Sequence, residues 1–380
     1  MHQVADAGLL KMDFLGLTNL TILNAAVNLV REHLGEEIDY LNLPPNDEKT
    51  FDLLSRGETF GVFQLESSGM RRYIQELRPK RLEDLAAMVA LYRPGPMEHI
   101  PRFIAASNGE EPIHHPHPDL ADLLEDTYGV IVYQDQVLKI AQKFSGYTLG
   151  QADIMRKAMG KKIASVMQAE RGQFVSGAMS LGYNADEANT VFNLIEPFAG
   201  YAFNKAHAIC YGTIAYQTAY MKAHYPVPYM TAVLRSAVDN SERIGLASSE
   251  CAHLGIPLLR PDINFSQSTF SIENVSDGCL GIRFGLANVK NVGHGAVAAL
   301  IESRDQDNPF VNVEDLCRRA NLQNINKRSL ECLMKAGAMD DLAPRGSAIA
   351  GLEKIIRLAQ REQELQASGQ TTMFDLFGDQ

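Results

Sequence analysis

Residues 20–35 read LTILNAAVNLVREHLG, and their apolar side chains recur at the spacing of an α-helix. The apolar positions are Ile22, Leu23, Ala26, Val27, Val30 and Leu34. A stripe on one face predicts a helix packed against a core, and Gly35 is expected to end it because glycine readily takes the left-handed conformation of helix stops. We predict from this pattern that the chain is mainly α-helical.

The same periodicity continues along the chain and predicts most of its secondary structure. Helices are expected at 81–92, 119–126, 134–144, 151–159, 163–181, 186–196, 210–223, 241–254 and 347–367. Strand patterns are few: GVIVY at 129–133, an alternating stretch at 11–17, and a hairpin from 268–274 and 280–286. The segment from Pro257 to Pro261 is interpreted as a connector between domains.

Composition places the chain among soluble globular proteins. Its 380 residues are 46% hydrophobic and 21% charged, which is enough for two or three domains and excludes wholesale disorder. No apolar run is long enough for a membrane span, and the start MHQVADAGLL lacks signal-peptide features. Five cysteines without a CxxC pair indicate reduced thiols and a cytoplasmic protein.

The formal net charge of −11 conceals two basic islands. Between Asp135 and Arg171 there are seven cations and three acids, and seven more cations lie between Gly69 and Arg102. Basic islands in an acidic protein suggest a site for a polyanion. Solvated helix faces that happen to be basic are the alternative.

Three motifs contain residues suited to phosphate chemistry. On a strand at 11–17, Lys11 and Asp13 would share one face, where a carboxylate suits Mg²⁺ and an ammonium suits phosphate. An exposed strand face would show the same residues.

On a helix at 152–162, four cations would repel one another unless an anion such as a triphosphate lay between them. These cations are Arg156, Lys157, Lys161 and Lys162; a solvated basic helix end is the alternative.

The third motif is FAGYAFNKAHA at 198–208, which runs into a helix with further tyrosines. Aromatic residues interleaved with Asn204, Lys205 and His207 can stack on a base while polar groups reach its phosphates. His207 alone would more often be a structural hydrogen-bonding residue. We discount His114-His115-Pro116-His117 as a metal site because no further ligand follows at zinc spacing, and Cys210 as a nucleophile because no base is positioned to activate it.

Seven motifs occur in one order along the chain. They are KMDFLGL (11–17), GVFQLESSGMR (61–71), ALYRPGPM (90–97), YGVIVYQDQV (128–137), RKAMGKK (156–162), FAGYAFNKAHA (198–208) and YQTAYMKAHYP (216–226). This combination closely resembles the alpha subunits of bacterial DNA polymerase III, the C-family replicative polymerases. The resemblance extends over essentially all 380 residues, although the chain is similar only to the middle of that longer protein.

The resemblance implies a domain order. Residues 1–18 would end the palm, 19–265 would form multi-helix fingers with a few short strands, and 266–369 would form a small α-helical domain of tandem helix-hairpin-helix units. Residues 370–380 would be the peptide that binds the sliding clamp. Expected partners are primer-template DNA, deoxynucleoside triphosphate, the clamp and, through regions outside this chain, other replicase subunits.

The resemblance also implies site residues. Asp13 would be the third of three carboxylates that hold two Mg²⁺ ions, with Lys11, Arg156, Lys157, Lys161, Lys162, Asn204, Lys205 and His207 around the nucleotide. Lys157 stands where the family has a second arginine, so the charge is kept and the bidentate fork is lost. Ala206 replaces the serine of the family's FNKSH motif. The chain's one Asp-x-Asp, Asp305-Gln306-Asp307, is interpreted as a decoy, so the chain alone should not polymerise.

Two further sites follow from the same resemblance. In the first helix-hairpin-helix unit, Lys290, Gly293, His294 and Gly295 would bind a DNA phosphate through a turn at a helix N-terminus; a weaker copy is expected around Lys335-Ala336-Gly337-Ala338. Gln370, Met373, Phe374, Leu376 and Phe377 would bind the clamp as an extended peptide. The alternatives are a non-catalytic DNA-binding adaptor with the same units, and an error-prone paralogue of the replicative enzyme.

Overall fold

The computed structural model describes residues 7–10, 12, 14–161, 164–199, 202–276, 278–320 and 325–368. The predicted mainly α-helical class is confirmed. Contacts divide the chain into two compact units, residues 1–23 with 38–225 and residues 24–37 with 226–380. Helix α1 (Thr18–Leu34) contributes to both, and it ends before Gly35, which takes a φ of 70° as expected. The boundaries after residues 18, 265 and 369 stay predictions, because compact units and functional domains need not coincide.

The remaining helices of the first unit include most of those predicted. They are α2 (Glu48–Ser55), α3 (Ser68–Leu77), α4 (Leu82–Leu91), α5 (Ile100–Ser107), α6 (Ala121–Leu124), α7 (Gln134–Ser145), α8 (Leu149–Lys161), α9 (Ala164–Ser180), α10 (Ala185–Ala199) and α11 (Lys205–His224). The single helix predicted at 119–126 is wrong, since α6 is one turn between 3₁₀ segments at Pro118–Leu120 and Glu125–Thr127. The sequence pattern did not predict α2, α3 or α5.

Helix α11 packs closely into one apolar cluster of this unit. Its buried face consists largely of alanines, and at Gly212 a methyl group would lie 3.0–3.2 Å from atoms of Ala86 on α4. Small residues therefore allow α4 and α11 to approach closely. Another cluster lies among α7–α10 and is centred on the buried rings of Phe144, Phe174 and Phe192.

Lys222, near the end of α11, is only 1% exposed. Its ammonium donates hydrogen bonds to the carbonyl oxygens of Glu58 and Phe60, at 2.7 and 2.9 Å. We expect Lys222→Met to lower the free energy of unfolding by about 2 kcal/mol, because one buried and one partly buried carbonyl lose a charged donor. Urea unfolding monitored by circular dichroism measures this, with the exposed Lys80→Met as the matched control. Equal stability of the two variants would contradict the anchoring role of Lys222.

The second unit combines helices with a small sheet. Its further elements are α12 (Pro226–Ser236), α13 (Ser241–His253), β1 (Leu258–Leu259), β2 (Ser271–Ser276), β3 (Cys279–Arg283), α14 (His294–Asp307), α15 (Val313–Arg319), α16 (Lys327–Lys335), α17 (Arg345–Ala350) and α18 (Leu352–Ser368). The predicted hairpin is confirmed, because β2 and β3 pair antiparallel with Ile272 opposite Ile282. The segment 257–261, interpreted as a connector between domains, contains β1, which pairs parallel to β3 and which the sequence pattern did not predict.

Three other predicted elements need correction. The described residues at 12 and 14–17 lie outside any strand, and Phe14 and Leu15 are more than nine-tenths exposed, so no neighbouring strand covers them. At 129–133 only Tyr133 pairs, in one isolated parallel bridge with Phe203. The last predicted helix is divided at Gly351 into α17 and α18. None of the described helices combines the length and apolar character of a membrane span.

Candidate functional site

The N-terminus of α11 is fixed by two neighbouring contacts in the first unit. The backbone N–H of Phe203 donates to Val132 O at 3.0 Å, and Gln134 N–H returns a bond to Phe203 O at 2.9 Å. The next residue, Asn204, is the N-cap, and its side chain accepts from the backbone N–H of His207 at 2.9 Å. Asn204 thus stabilises the start of the helix.

A row of rings follows from this geometry. Phe63 lies 5.1 Å from Tyr211, Tyr211 lies 4.1 Å from His207, and His207 lies 5.4 Å from Phe203, each measured between ring centroids. The guanidinium of Arg93 lies over the other end of the row, 4.4 Å from the centroid of Phe203. We call these five residues the aromatic row. It offers flat surfaces beside a cation, which suits a base with its phosphates.

Arg93, which belongs to the aromatic row, and Lys205, which lies close in sequence to its rings, are two cations with defined surroundings. The Nε of Arg93 donates to Ala90 O at 2.9 Å, and burial lowers the pKa of its guanidinium from the usual value. Lys205 lies 3.7 Å from the carboxylate of Asp126 and 5.6 Å from the ring of Tyr133. Burial also raises the pKa of the Tyr133 hydroxyl, which therefore stays protonated at neutral pH.

The basic end of α8 is organised around a carboxylate of the chain itself. Arg156 and Lys157 both bind Asp153, at 2.8 and 2.7 Å. The hydrogen bonds from Lys157 and then Arg156 lower the pKa of that carboxyl. The sequence pattern predicted that these cations need a bound anion between them. Asp153 already supplies a negative charge to both Arg156 and Lys157, so their proximity does not by itself require a bound phosphate. Both cations remain available to a ligand that competes with Asp153.

Among the described residues, the side chains predicted to bind the nucleotide do not form a single cluster. Helix α8 packs with α7, α9 and α10, whereas α11 packs against α4 and α2. Lys11, Asp13 and Lys162 lie outside the described residues, as does the side chain of Lys161. No group of three or more His, Cys, Asp or Glu side chains in the described part of the chain could hold a metal ion. The Mg²⁺ prediction thus rests on Asp13.

Two of the motifs set aside in the sequence have structural roles. The side chain of His117 accepts from Asp119 N–H at 3.2 Å and so caps the 3₁₀ segment that begins there. Asp305 lies 2.8 Å from the guanidinium of Arg304.

In the second unit, the first helix-hairpin-helix turn is open to solvent. Gly293 is the N-cap of α14, and Lys290, His294 and Gly295 are exposed around it. Apart from their chain neighbours and the backbone of α14 itself, no atom of the described residues lies within 4 Å of where a Cβ would stand at Gly293 or Gly295. The nearby Val292 is buried in a small apolar cluster and anchors the turn. The backbone N–H groups at this helix start can therefore be reached by a phosphate.

The second, weaker copy of this turn is filled by side chains. Gly337 takes a φ of 85°, and the Arg345 side chain occupies the space beside it. Arg345 and Arg260 both bind Asp340, at 3.0 and 2.6 Å, and Arg260 also binds Asp341. The Arg345 guanidinium holds the pKa of the Asp340 carboxyl below its usual range. Among the described residues, only the first of the two predicted turns is left open.

Sequence reasoning missed three residues of these sites. Arg93 and Phe63 lie inside motifs that carried the resemblance, but nothing in the pattern indicated that they would meet at α11. Ser268 bonds His294 across the chain, at 2.7 Å between its Oγ and Nδ1. The pairing of Asp153 could have been found, since it lies three and four residues before its partners on a helix.

Comparison with known proteins confirms the resemblance that the motifs indicated. Residues 19–182 match the family model "Bacterial DNA polymerase III alpha subunit finger domain", and residues 255–348 match "Helix-hairpin-helix motif". The chain is similar to DNA polymerase III subunit alpha of Thermus aquaticus (47% identity over 98% of this chain and 31% of the relative). It is also similar to the alpha subunit of Bacillus subtilis, with 43% identity over 95% of this chain and 32% of the relative. The alpha subunit of Escherichia coli K12 shows 41% identity over 99% of this chain and 33% of the relative. The chain spans about a third of the length of the curated relatives it matches.

Proposed function

We propose that this chain, whose sequence matches a segment of bacterial DNA polymerase III alpha subunits, is the nucleotide-binding, DNA-binding and clamp-binding part of a replicative DNA polymerase. The proposal is carried by one observation, the match of residues 19–182 to a finger-domain model, and it is supported by the aromatic row at the start of α11, which includes the cation Arg93. The complete protein would act in the cytoplasm with other replicase subunits.

The aromatic row supports the nucleotide assignment. His207 and Tyr211 lie 4.1 Å apart on one face of α11, so a base could stack against this face while Lys205 and Arg93 reach its phosphates. Asn204 would contribute indirectly, because its side chain caps the N-terminus of the helix that carries His207 and Tyr211. Arg156 and Lys157 would exchange Asp153 for the triphosphate, with Lys161 and Lys162 as further cations on the same segment.

The reaction would be attack of the primer 3′-hydroxyl on the α-phosphate of the nucleotide. Two Mg²⁺ ions would supply the charge stabilisation that this step needs, with Asp13 as one ligand and further carboxylates from outside this chain. The residues described here bind and orient: rings hold the base, and cations hold the phosphates in line. Lys11 would contact the triphosphate beside Asp13.

The second unit would hold the product duplex. The open turn of Lys290, Gly293, His294 and Gly295 offers backbone N–H groups and two side-chain donors to a phosphate. Such contacts do not depend on base sequence, which suits a polymerase that moves along DNA. The tail residues Gln370, Met373, Phe374, Leu376 and Phe377, which lie outside the described residues, would bind the sliding clamp.

Primer extension by the complete protein with Mg²⁺ and the four nucleotides tests the proposal. Extension by the complete protein, and none by the 380-residue chain alone, is the expected result. A complete protein that binds primer-template and clamp without extending the primer would favour the non-catalytic adaptor.

In the complete protein, Arg156→Ala with Lys157→Ala should raise the apparent KM for nucleotide about tenfold or more. Two charge-assisted contacts to the triphosphate are lost, although release of Asp153 offsets part of that loss. Steady-state kinetics at saturating primer-template measures the change. The matched control removes Lys139 and Lys143 from the neighbouring helix α7. An unchanged KM would move the phosphate contacts to Lys161 and Lys162.

A further inference from the structure

Ser268 and His294 join two separate segments at the open turn of the second unit. The Oγ of Ser268 lies 2.7 Å from Nδ1 of His294, the first residue of α14. The segment that carries Ser268 is itself held in place, because the carbonyls of Gln267 and Ser268 accept from the N–H groups of Leu286 and Ala287 at 2.9 and 3.0 Å. The hydroxyl is thus presented to the imidazole from a fixed backbone.

This bond leaves one nitrogen of the imidazole for a ligand. His294 is exposed between Gly293 and Gly295, and the exposed cation Lys290 lies in the same turn. With Nδ1 held by Ser268, Nε2 is the ring atom that can meet a phosphate. A neutral imidazole has one N–H and one lone pair, and the bond made by one nitrogen decides which of the two the other presents.

We propose that Ser268 is a positioning residue of the phosphate-binding turn, which keeps a proton on Nε2 of His294. This inference rests on the proposed DNA-binding function of the turn. When the ring is neutral, the Ser268 hydroxyl donates to Nδ1, so Nε2 carries the hydrogen. When the ring is protonated, Nδ1–H donates to the same oxygen, and Nε2–H again faces outward. In both states a phosphate oxygen meets a donor.

The tautomer of His294 with its hydrogen on Nδ1 would not favour phosphate binding. Without the hydroxyl, a neutral His294 can carry its hydrogen on Nδ1 and present the Nε2 lone pair to the phosphate oxygen. Two acceptors then face each other, and the side chain contributes nothing to affinity. Ser268 would therefore add to DNA affinity without touching DNA.

Binding of a fluorescein-labelled 20-base-pair duplex to the 380-residue chain at pH 8 tests the inference, since the choice between tautomers arises only for a neutral imidazole. Ser268→Ala and His294→Ala should each weaken binding about three- to tenfold, the value of one hydrogen bond. Ser268→Thr keeps a hydroxyl and should restore affinity. In a His294→Ala background, Ser268→Ala should have no further effect, because the two residues act as one unit.

Nitrogen-15 spectra of the histidine side chains supply a second measurement, with the His294 signals identified by their loss in His294→Gln. The wild-type chain should show Nε2–H and an unprotonated Nδ1 at pH 8, and Ser268→Ala should show a mixture. Wild-type affinity in Ser268→Ala, or an equal loss in the His294→Ala background, would overturn the role of Ser268. Unchanged affinity in both Lys290→Ala and His294→Ala would instead remove the proposed phosphate turn itself.

Discussion

Replacing Asp13 with Asn in the complete protein that we propose to be a polymerase should lower the rate of primer extension by about a thousandfold or more. The change removes one negatively charged ligand from the proposed pair of Mg²⁺ ions, which stabilises the transition state by several kcal/mol, and each 1.36 kcal/mol is tenfold in rate. Affinity for primer-template should change little, because no basic contact is lost. Single-turnover extension, with DNA binding measured in parallel, separates the two effects.

The chain offers a matched control for this prediction. Asp305→Asn makes the same chemical change in the chain's only Asp-x-Asp sequence, where the carboxylate is mostly exposed and paired with Arg304. Its polymerase should extend primers at the wild-type rate. Near-normal turnover in Asp13→Asn would mean that Asp13 is not a metal ligand, and a loss in Asp305→Asn would mean that the Asp-x-Asp is no decoy.

Helices with a strong apolar periodicity were predictable, because the residues that contact the core all lie within one stretch of sequence. Helix α1 is an example, with Ile22, Leu23, Ala26 and Val30 all buried at helical spacing. Short elements were harder. The two residues of β1 form a strand because Ile282 and Phe284 donate their backbone N–H groups to Pro257 O and Leu259 O, partners 25 positions away in sequence.

The candidate sites show the same limit. Lys205 and His207 were identified from their own motif, yet the adjacent rings of Tyr211 and Phe203 contact Phe63 and Arg93, which come from segments more than 100 residues earlier. The turns of the two helix-hairpin-helix units depend even more clearly on residues that are distant in sequence. Both contain a glycine that suits a phosphate contact, but the second is filled by a network that includes Arg260, which reaches Asp340 from 80 residues away. Local sequence does not encode such an arrangement.

Met373→Ala with Phe374→Ala should abolish the proposed binding of the chain to the bacterial sliding clamp and remove processive synthesis by the complete protein. These side chains follow a charged helix, and Gly369 precedes them. Burying two of them in a pocket on the clamp is worth roughly 3–6 kcal/mol before the cost of ordering the peptide. We therefore expect micromolar affinity for the isolated peptide and tighter binding when DNA threads both proteins. Calorimetry with purified clamp measures the change.

The matched control removes two exposed apolar side chains elsewhere in the same unit, Leu246→Ala with Val311→Ala. Its clamp affinity should equal that of the wild type, because general surface hydrophobicity does not provide the register that Gln370 and the two apolar anchors would provide together. If the tail packed on its own domain, the tail double variant would lose stability and keep its clamp affinity. If the tail is the ligand, thermal unfolding stays unchanged while the heat of binding disappears, so the two measurements separate the possibilities.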